Sequence, residues 1–464
     1  MAVTGKTLVH KDEPLAIRMA RALADYSWHD LTPEVIAKAK LCMLDLLSSA
    51  FASAELPWSQ QAITLARRNS SGLARGGAGI IGTKHVVSVQ DAAFANGVIG
   101  HGLVRDDMHV GSVSHLGTVI LPALLALAET RSSATGKDLL TAIAAGYEVG
   151  GKIGRMILDI EISKIFRPTG ITGPIAAAAA GAKLRGLNAE QTTTALALGA
   201  NTAAGYNEWA ATGGSEMFFH TGFAARSAVS AVQLAENGAY ASTTAIDGEA
   251  GILAAFRKPL LPAVPGLFED SPEILAVFFK PVPACNFAQS AAQAALAIAR
   301  RERVRATDVE RVVIKVTRAA ALYPGCNVSG PFEHILQAKM SIHYNVAAAL
   351  VTGNFDERNY EPNSNPDVLR LATRTTLETD AELTKGFPGK QGAEVIVHTL
   401  AKDTWSERVE DIAPATAEQV RERFLAAAQN VLGKAQATKL YMLIDTLESC
   451  SAAAKLSRLT RSTK

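Results

Sequence analysis

The chain has 464 residues and is 48% hydrophobic, which permits a large buried core and, by length, two or three domains. Lys and Arg number 46 against 44 Asp and Glu, a formal balance of +2 that argues against a nucleic-acid partner, since that needs a concentrated basic surface. The four cysteines, Cys42, Cys285, Cys326 and Cys450, lie far apart without CxxC spacing, so neither a zinc cage nor a disulfide framework is indicated and a reducing, cytoplasmic setting is expected.

The N-terminal residues contain no apolar core of signal-peptide length. Apolar residues then recur at helical spacing over 13–24 and 33–52, the second run opened by Thr32 and Pro33. Gly77, Gly79 and Gly82 match GxGxxG. The residues before them (67–72) have loop chemistry, and those after (84–89) suggest a short strand. A dinucleotide site needs a strand before the turn and a helix opening within it, so a glycine-rich turn is the better account. The most apolar stretch, 119–128, is too short to span a bilayer and contains Pro122, so no membrane partner is expected.

Helical patterns continue over 136–150, 171–184, 189–204 and 221–236, with Gly186 and Gly238 placed where helix ends favour glycine. Near Pro281 the composition changes. Residues 312–317 and 393–398 are short β-branched runs that predict strands, with helices over 288–300 and 338–351. Helix returns over 416–432 and 434–448. The expected fold is mainly α: a large helical domain formed by both ends of the chain (1–274 and 405–464), with a smaller α+β lid domain inserted over 275–404.

The densest cluster of reactive side chains is HGLVRDDMHVGSVSH, from His101 to His115, between two apolar helix-like segments. It holds His101, Asp106, Asp107, His109 and His115. Three readings compete for it: a surface loop with helix-capping aspartates, a metal site without a tight ligand signature, and an acid/base site. Histidine suits the last because it accepts and returns a proton near neutral pH, and a neighbouring carboxylate fixes its tautomer.

Five blocks in order then carry a resemblance. Ala95-Asn96-Gly97 is followed by His101, Asp106-Asp107, His115 and Leu121-Pro122-Ala123. Next come Pro168-Thr169-Gly170 with an alanine run, and His220-Thr221-Gly222-Phe223-Ala224-Ala225-Arg226. Phe279-Lys280-Pro281-Val282-Pro283-Ala284-Cys285 is the fourth block. Ala338-Lys339-Met340-Ser341 with Tyr344 and Val346-Ala347 is the fifth. Together they resemble the MmgE/PrpD family across most of the chain. The resemblance implies a helical domain with an α/β lid, a homodimer, and cofactor-independent chemistry beside a carboxylate, as in 2-methylcitrate dehydratase, cis-aconitate decarboxylase and iminodisuccinate epimerase.

Four positions depart from the family's pattern. Val104, Met108, Arg167 and Met217 stand where family lyases carry Asp, Thr, His and Lys. The exchange adds a guanidinium, a bidentate grip for carboxylates. The matching positions make His115 the first candidate base, with His109 as second acid or base, Tyr344 as proton donor, and Lys280 and Arg167 as carboxylate ligands. Asp106, Asp107 and His101 are expected to orient the histidines and the loop. The expected activity is a lyase of the dehydratase type on a small polycarboxylic acid, with no metal and no cofactor. An epimerase and a non-catalytic binding homologue are the alternatives.

Overall fold

A computed structural model describes residues 13–72, 76–131, 133–256, 266–302, 304–361 and 365–462. The N-terminal stretch considered for a signal sequence (1–12) lies outside the described residues. Helix accounts for 61% of the chain, which makes the fold mainly α, as expected. Among the described residues no helix is long and apolar enough to cross a membrane.

The helices form where start signals and apolar spacing coincide. Thr32 caps Pro33–Ser53 by accepting from the Val35 amide, with Pro33 in the first turn. Thr135 and Asp138 form a reciprocal capping box for Gly136–Ile157. The alanine runs serve close helix packing. Ala176 to Ala180 of Pro168–Arg185 are fully buried. A Cβ at Gly146 or Gly150 of Gly136–Ile157 would meet Ala180 and Ala176 Cβ at 2.8 Å. The GxGxxG stretch is a hairpin: Ala78–Gly79 pairs antiparallel with Val86–Val87.

One buried core runs from Leu15 to Phe279 and resumes at Ala415 to Leu456, so the C-terminal helices pack on the N-terminal ones. Ala417–Leu432 lies against Pro33–Ser53. A second core gathers Val282 to Val397 around a four-stranded sheet and takes in Trp58, Phe94, Val104 and Trp209 to Phe218 from the helical part. The strand order is Thr375–Thr379, Val309–Val316, Ala393–Thr399, Thr404–Val409, with the first pair parallel and the others antiparallel.

Two expectations about this region need correction. The return to the helical domain was expected at 405, but Thr404–Val409 is the sheet's last strand; the helix expected over 416–432 is Ala417–Leu432. That strand's pattern of Thr, Ser, Glu and Arg is that of a half-exposed edge, which hides its signal. The helix expected over 338–351 is two helices, Ile335–Met340 and Ile342–Thr352. Ser341 leaves helical geometry between them and caps the second by accepting from the Tyr344 amide.

Candidate active site

The His101–His115 stretch joins two buried helices, Val89–His101 and Gly117–Glu129. Within it, Met108–His109 pairs antiparallel with Val277–Phe278. That ladder brings the loop against the segment carrying Lys280 and Cys285. Val104 and Val113 both adopt left-handed backbone, at φ 59 and 49. A β-branched residue strains there, and such strain concentrates at functional sites. Both valines line the cavity described below.

Asp106 is the hub of the loop. Its Oδ1 lies 2.9 Å from His101 Nδ1 and its Oδ2 2.7 Å from His115 Nδ1. Burial works to raise its pKa, but the two imidazoles outweigh that and hold it well below the usual carboxylate range. Hydrogen bonds fix both tautomers. Arg167 Nη2 donates to His101 Nε2 at 3.0 Å, so His101 carries its proton on Nδ1 and gives it to Asp106. His115 Nδ1 lies 2.9 Å from the Asp107 carbonyl, which only accepts. Its proton therefore also sits on Nδ1, and Nε2 keeps its lone pair. Burial pushes the His115 pKa down to about 3, with Lys280 adding to the effect and Asp106 opposing it; burial also lowers that of His101. Both rings are neutral at neutral pH.

The donor atoms of His101, Asp106 and His115 lie within 4.8 Å of one another, the one such metal-sized group among the described residues. The hydrogen bonds above account for its geometry, because the Asp107 carbonyl requires a proton on His115 Nδ1. Asp107 itself accepts from the Tyr147 hydroxyl and, at 3.2 Å, from the Gly117 amide. Burial raises its pKa to about 6. It secures the loop to the following helix.

His115 and Arg167 line a small cavity of about 20 Å³, room for roughly one water. Arg167 precedes the first turn of Pro168–Arg185, anchored by its amide to the Gly205 carbonyl at 3.0 Å. It is 5% exposed, its guanidinium carbon lies 5.7 Å from the Trp209 ring, and its Nε has no partner among the described residues. No carboxylate of the described residues forms an ion pair with it. Cys285, Asn286 and Tyr323 supply the other polar walls. Val104, Met108, Trp209, Met217, Phe287 and Met340 supply most of the carbon and sulfur. An outer cavity of about 310 Å³ shares Val113, Phe287 and Tyr323 with it.

The other expected site residues are placed elsewhere. His109 does not line the cavity: it is buried, with Nε2 2.8 Å from Glu273 and Nδ1 2.8 Å from Ser112 Oγ. Both nitrogens are occupied, so it has no free atom for substrate. Tyr344 donates its hydroxyl to the Asn359 carbonyl at 2.5 Å and packs its ring edge-on to Phe332. Burial raises its pKa to about 12. Lys280 lies behind Val104, donating to the Val104 carbonyl and, at 3.3 Å, to that of Ala284. Burial pulls its pKa down to about 8. His101 braces Arg167 and the loop.

Three polar cavity groups, Cys285, Asn286 and Tyr323, were assigned no role from sequence. Tyr323 follows no periodic pattern, and only its place in a Tyr-Pro-Gly turn singles it out. Cys285 lies within a matched block, but its contact with Cys326, Sγ to Sγ 3.7 Å, appears only in three dimensions. The Cys326 thiol lowers the Cys285 pKa, against the effect of burial.

A family model described as the MmgE/PrpD N-terminal domain matches residues 17–261, and one described as the MmgE/PrpD C-terminal domain matches 282–449. A cis-aconitate decarboxylase-like protein of Aspergillus oryzae is 30% identical over 236 residues, covering 49% of this chain and 46% of its own length. The chain thus spans less than half of that relative. The cis-aconitate decarboxylase of Mus musculus is 27% identical over 394 residues, 80% of this chain and 78% of its own. A probable 2-methylcitrate dehydratase of Saccharomyces cerevisiae is 25% identical over 379 residues, 75% and 71% respectively.

Proposed function

Because the chain belongs to the MmgE/PrpD family, we propose that it is a cofactor-independent lyase of the dehydratase type, removing a proton next to a carboxylate of a small organic acid. The polycarboxylates named for its relatives give the starting class. The observation that carries the reading is a neutral imidazole and a buried guanidinium without a carboxylate partner, facing one cavity.

Arg167 takes the substrate carboxylate, for which its fork is shaped. The negative charge so introduced favours an imidazolium nearby, which restores basicity to a ring that burial has made weakly basic. His115 Nε2 then removes the proton from the carbon beside the carboxylate. The electron pair moves into the carboxylate as an enediolate, held by Arg167, while Asp106 steadies the charge on His115. As the β-carbon–oxygen bond breaks, His115 passes the same proton to the departing oxygen, giving water and an unsaturated acid. The ring is neutral again at the end.

An epimerase is the second reading. Cys285 on the cavity wall favours it, since inversion needs two proton carriers on one cavity. A panel of hydroxy and unsaturated acids in deuterated water separates the two. A dehydratase forms an unsaturated acid; an epimerase returns inverted, deuterated substrate. His115→Ala is expected to lower either rate by about 10²–10⁴ with thermal unfolding little changed. Full activity in that variant would remove the proposed base.

A further inference from the structure

We infer that the acid this cavity accepts carries a single carboxylate, bound at Arg167, and an uncharged alkyl or aryl arm. This rests on the reading of the His115–Arg167 cavity as the reaction site.

The first argument is a count of cations. The cations near the loop other than Arg167 are already engaged: Lys152 pairs with Asp270 at 2.9 Å, and Arg105, in the loop itself, donates to Ser48 Oγ at 3.1 Å. Lys280 donates to the Val104 and Ala284 carbonyls. Lys339 donates to the Leu103 and Pro283 carbonyls at 3.0 and 2.9 Å and pairs with Glu357 at 2.6 Å. Arg167 alone lines the cavity. Its partners are His101 Nε2 at 3.0 Å, the Met217 sulfur at 3.7 Å and the Tyr323 hydroxyl, none of them a carboxylate. A buried guanidinium with an unbonded Nε is left with one positive charge for an anion to neutralise.

The second argument is the wall. Val104, Met108, Met217 and Met340 present carbon and sulfur, and Trp209 and Phe287 complete it. A second carboxylate there loses its water and meets no second cation, the rest of the polar wall being His115, Cys285, Asn286 and Tyr323, which is costly for an ion. An alkyl group there gains by leaving water.

The third argument is space. The outer cavity beyond Phe287 and Tyr323 is walled by Leu158, Ile160, Ala319, Phe387 and Pro388. Its charged groups include Lys164, whose ammonium is paired with Glu161 at 2.9 Å. An arm too long for the inner cavity has an apolar path outward.

The test compares 3-hydroxyhexanoate with 3-hydroxyadipate, which differ in that a carboxylate replaces the terminal methyl. Purified wild-type protein is titrated with each by calorimetry, and exchange of the proton beside the first carboxylate is followed in deuterated water. The monoacid is expected to bind at least ~10-fold more tightly, since the diacid buries an unpaired charge. Arg167→Met is expected to abolish that binding. Met217→Lys is expected to move the preference at least ~10-fold toward the diacid by supplying a second cation. Equal or tighter binding of the diacid to the wild type overturns the inference, and so does binding of neither. Preferential binding of the monoacid without exchange of either acid sinks the lyase reading and leaves this one standing. Faster exchange of the diacid does the reverse.

Discussion

Asp45, on Pro33–Ser53, is fully buried, and neither carboxylate oxygen has a hydrogen-bond partner among the described residues. Burial, with Asp107 and Asp106 nearby, pushes its pKa up to about 8. The folded protein therefore keeps a proton that the unfolded chain releases near pH 4. Stability is lost as pH rises between those limits, by about 1.4 kcal/mol per unit. Histidines oppose this at lower pH. His115 and His220, lowered to about 3 and about 4 by burial, stay neutral in the fold while the unfolded chain binds protons below about 6.5. Their contribution is only half complete at about pH 6.5 and keeps adding stability above it in wild type and variant alike, so the Asp45 effect is read as a difference. Between about pH 6.5 and 8, urea unfolding should show the wild type losing about 2 kcal/mol relative to Asp45→Asn. An equal pH dependence in both proteins would mean that Asp45 is ionised in the fold.

Pro168–Arg185 begins immediately after Arg167, so whatever shifts this helix shifts the guanidinium. Gly170 sits in its first turn, where helix propensity alone would favour alanine by about 1 kcal/mol. Packing reverses the sign. A Cβ at Gly170 would lie 2.0 Å from the Ala204 carbonyl oxygen, and the Gly170 carbonyl itself accepts from the Ala204 amide at 3.1 Å. Gly170→Ala is expected to cost about 1–3 kcal/mol by overpacking and to weaken carboxylate binding, read by denaturant unfolding and calorimetry. Unchanged values for both would show that the 204 segment moves freely. That helix was legible over 171–184 because an alanine run and Gly186 frame it, but its first turn, opened by Pro168, was not. Thr375–Thr379 was not, since its side chains are mostly polar and its pairing with Val309–Val316 is tertiary. The break at Ser341 was hidden for a related reason: apolar spacing runs through it on both sides, and only the cap reveals it.

At the scale of the molecule, the cavity is assembled from segments far apart in sequence: the loop at 104–115, Arg167, Trp209 and Met217, then Cys285 to Phe287, Tyr323 and Met340. The ordered blocks made His115 and Arg167 legible. Lys280 was legible as a position but not as a group turned onto carbonyls, because a motif gives no direction. Trp209, Phe287 and Tyr323 carry no periodic or charge signal that separates a cavity wall from a core. The C-terminal return holds this assembly from outside. Arg423, on Ala417–Leu432, donates to the Lys280 carbonyl at 2.9 Å and the Pro281 carbonyl at 3.1 Å. Burial lowers its pKa to about 10, so it remains cationic at neutral pH. The helix that carries it packs on Pro33–Ser53, which bears Asp45. Two charge-assisted bonds thus fix the crossing segment that supplies Lys280 and Cys285. Arg423→Ala is expected to cost about 2 kcal/mol or more and to reduce turnover, although Arg423 is no part of the cavity wall. Arg423→Lys, keeping the charge without the fork, should fall between. If Arg423→Ala unfolds at the wild-type urea midpoint and turns over substrate at the wild-type rate, the crossing segment is held by its own core contacts and the clamp is incidental.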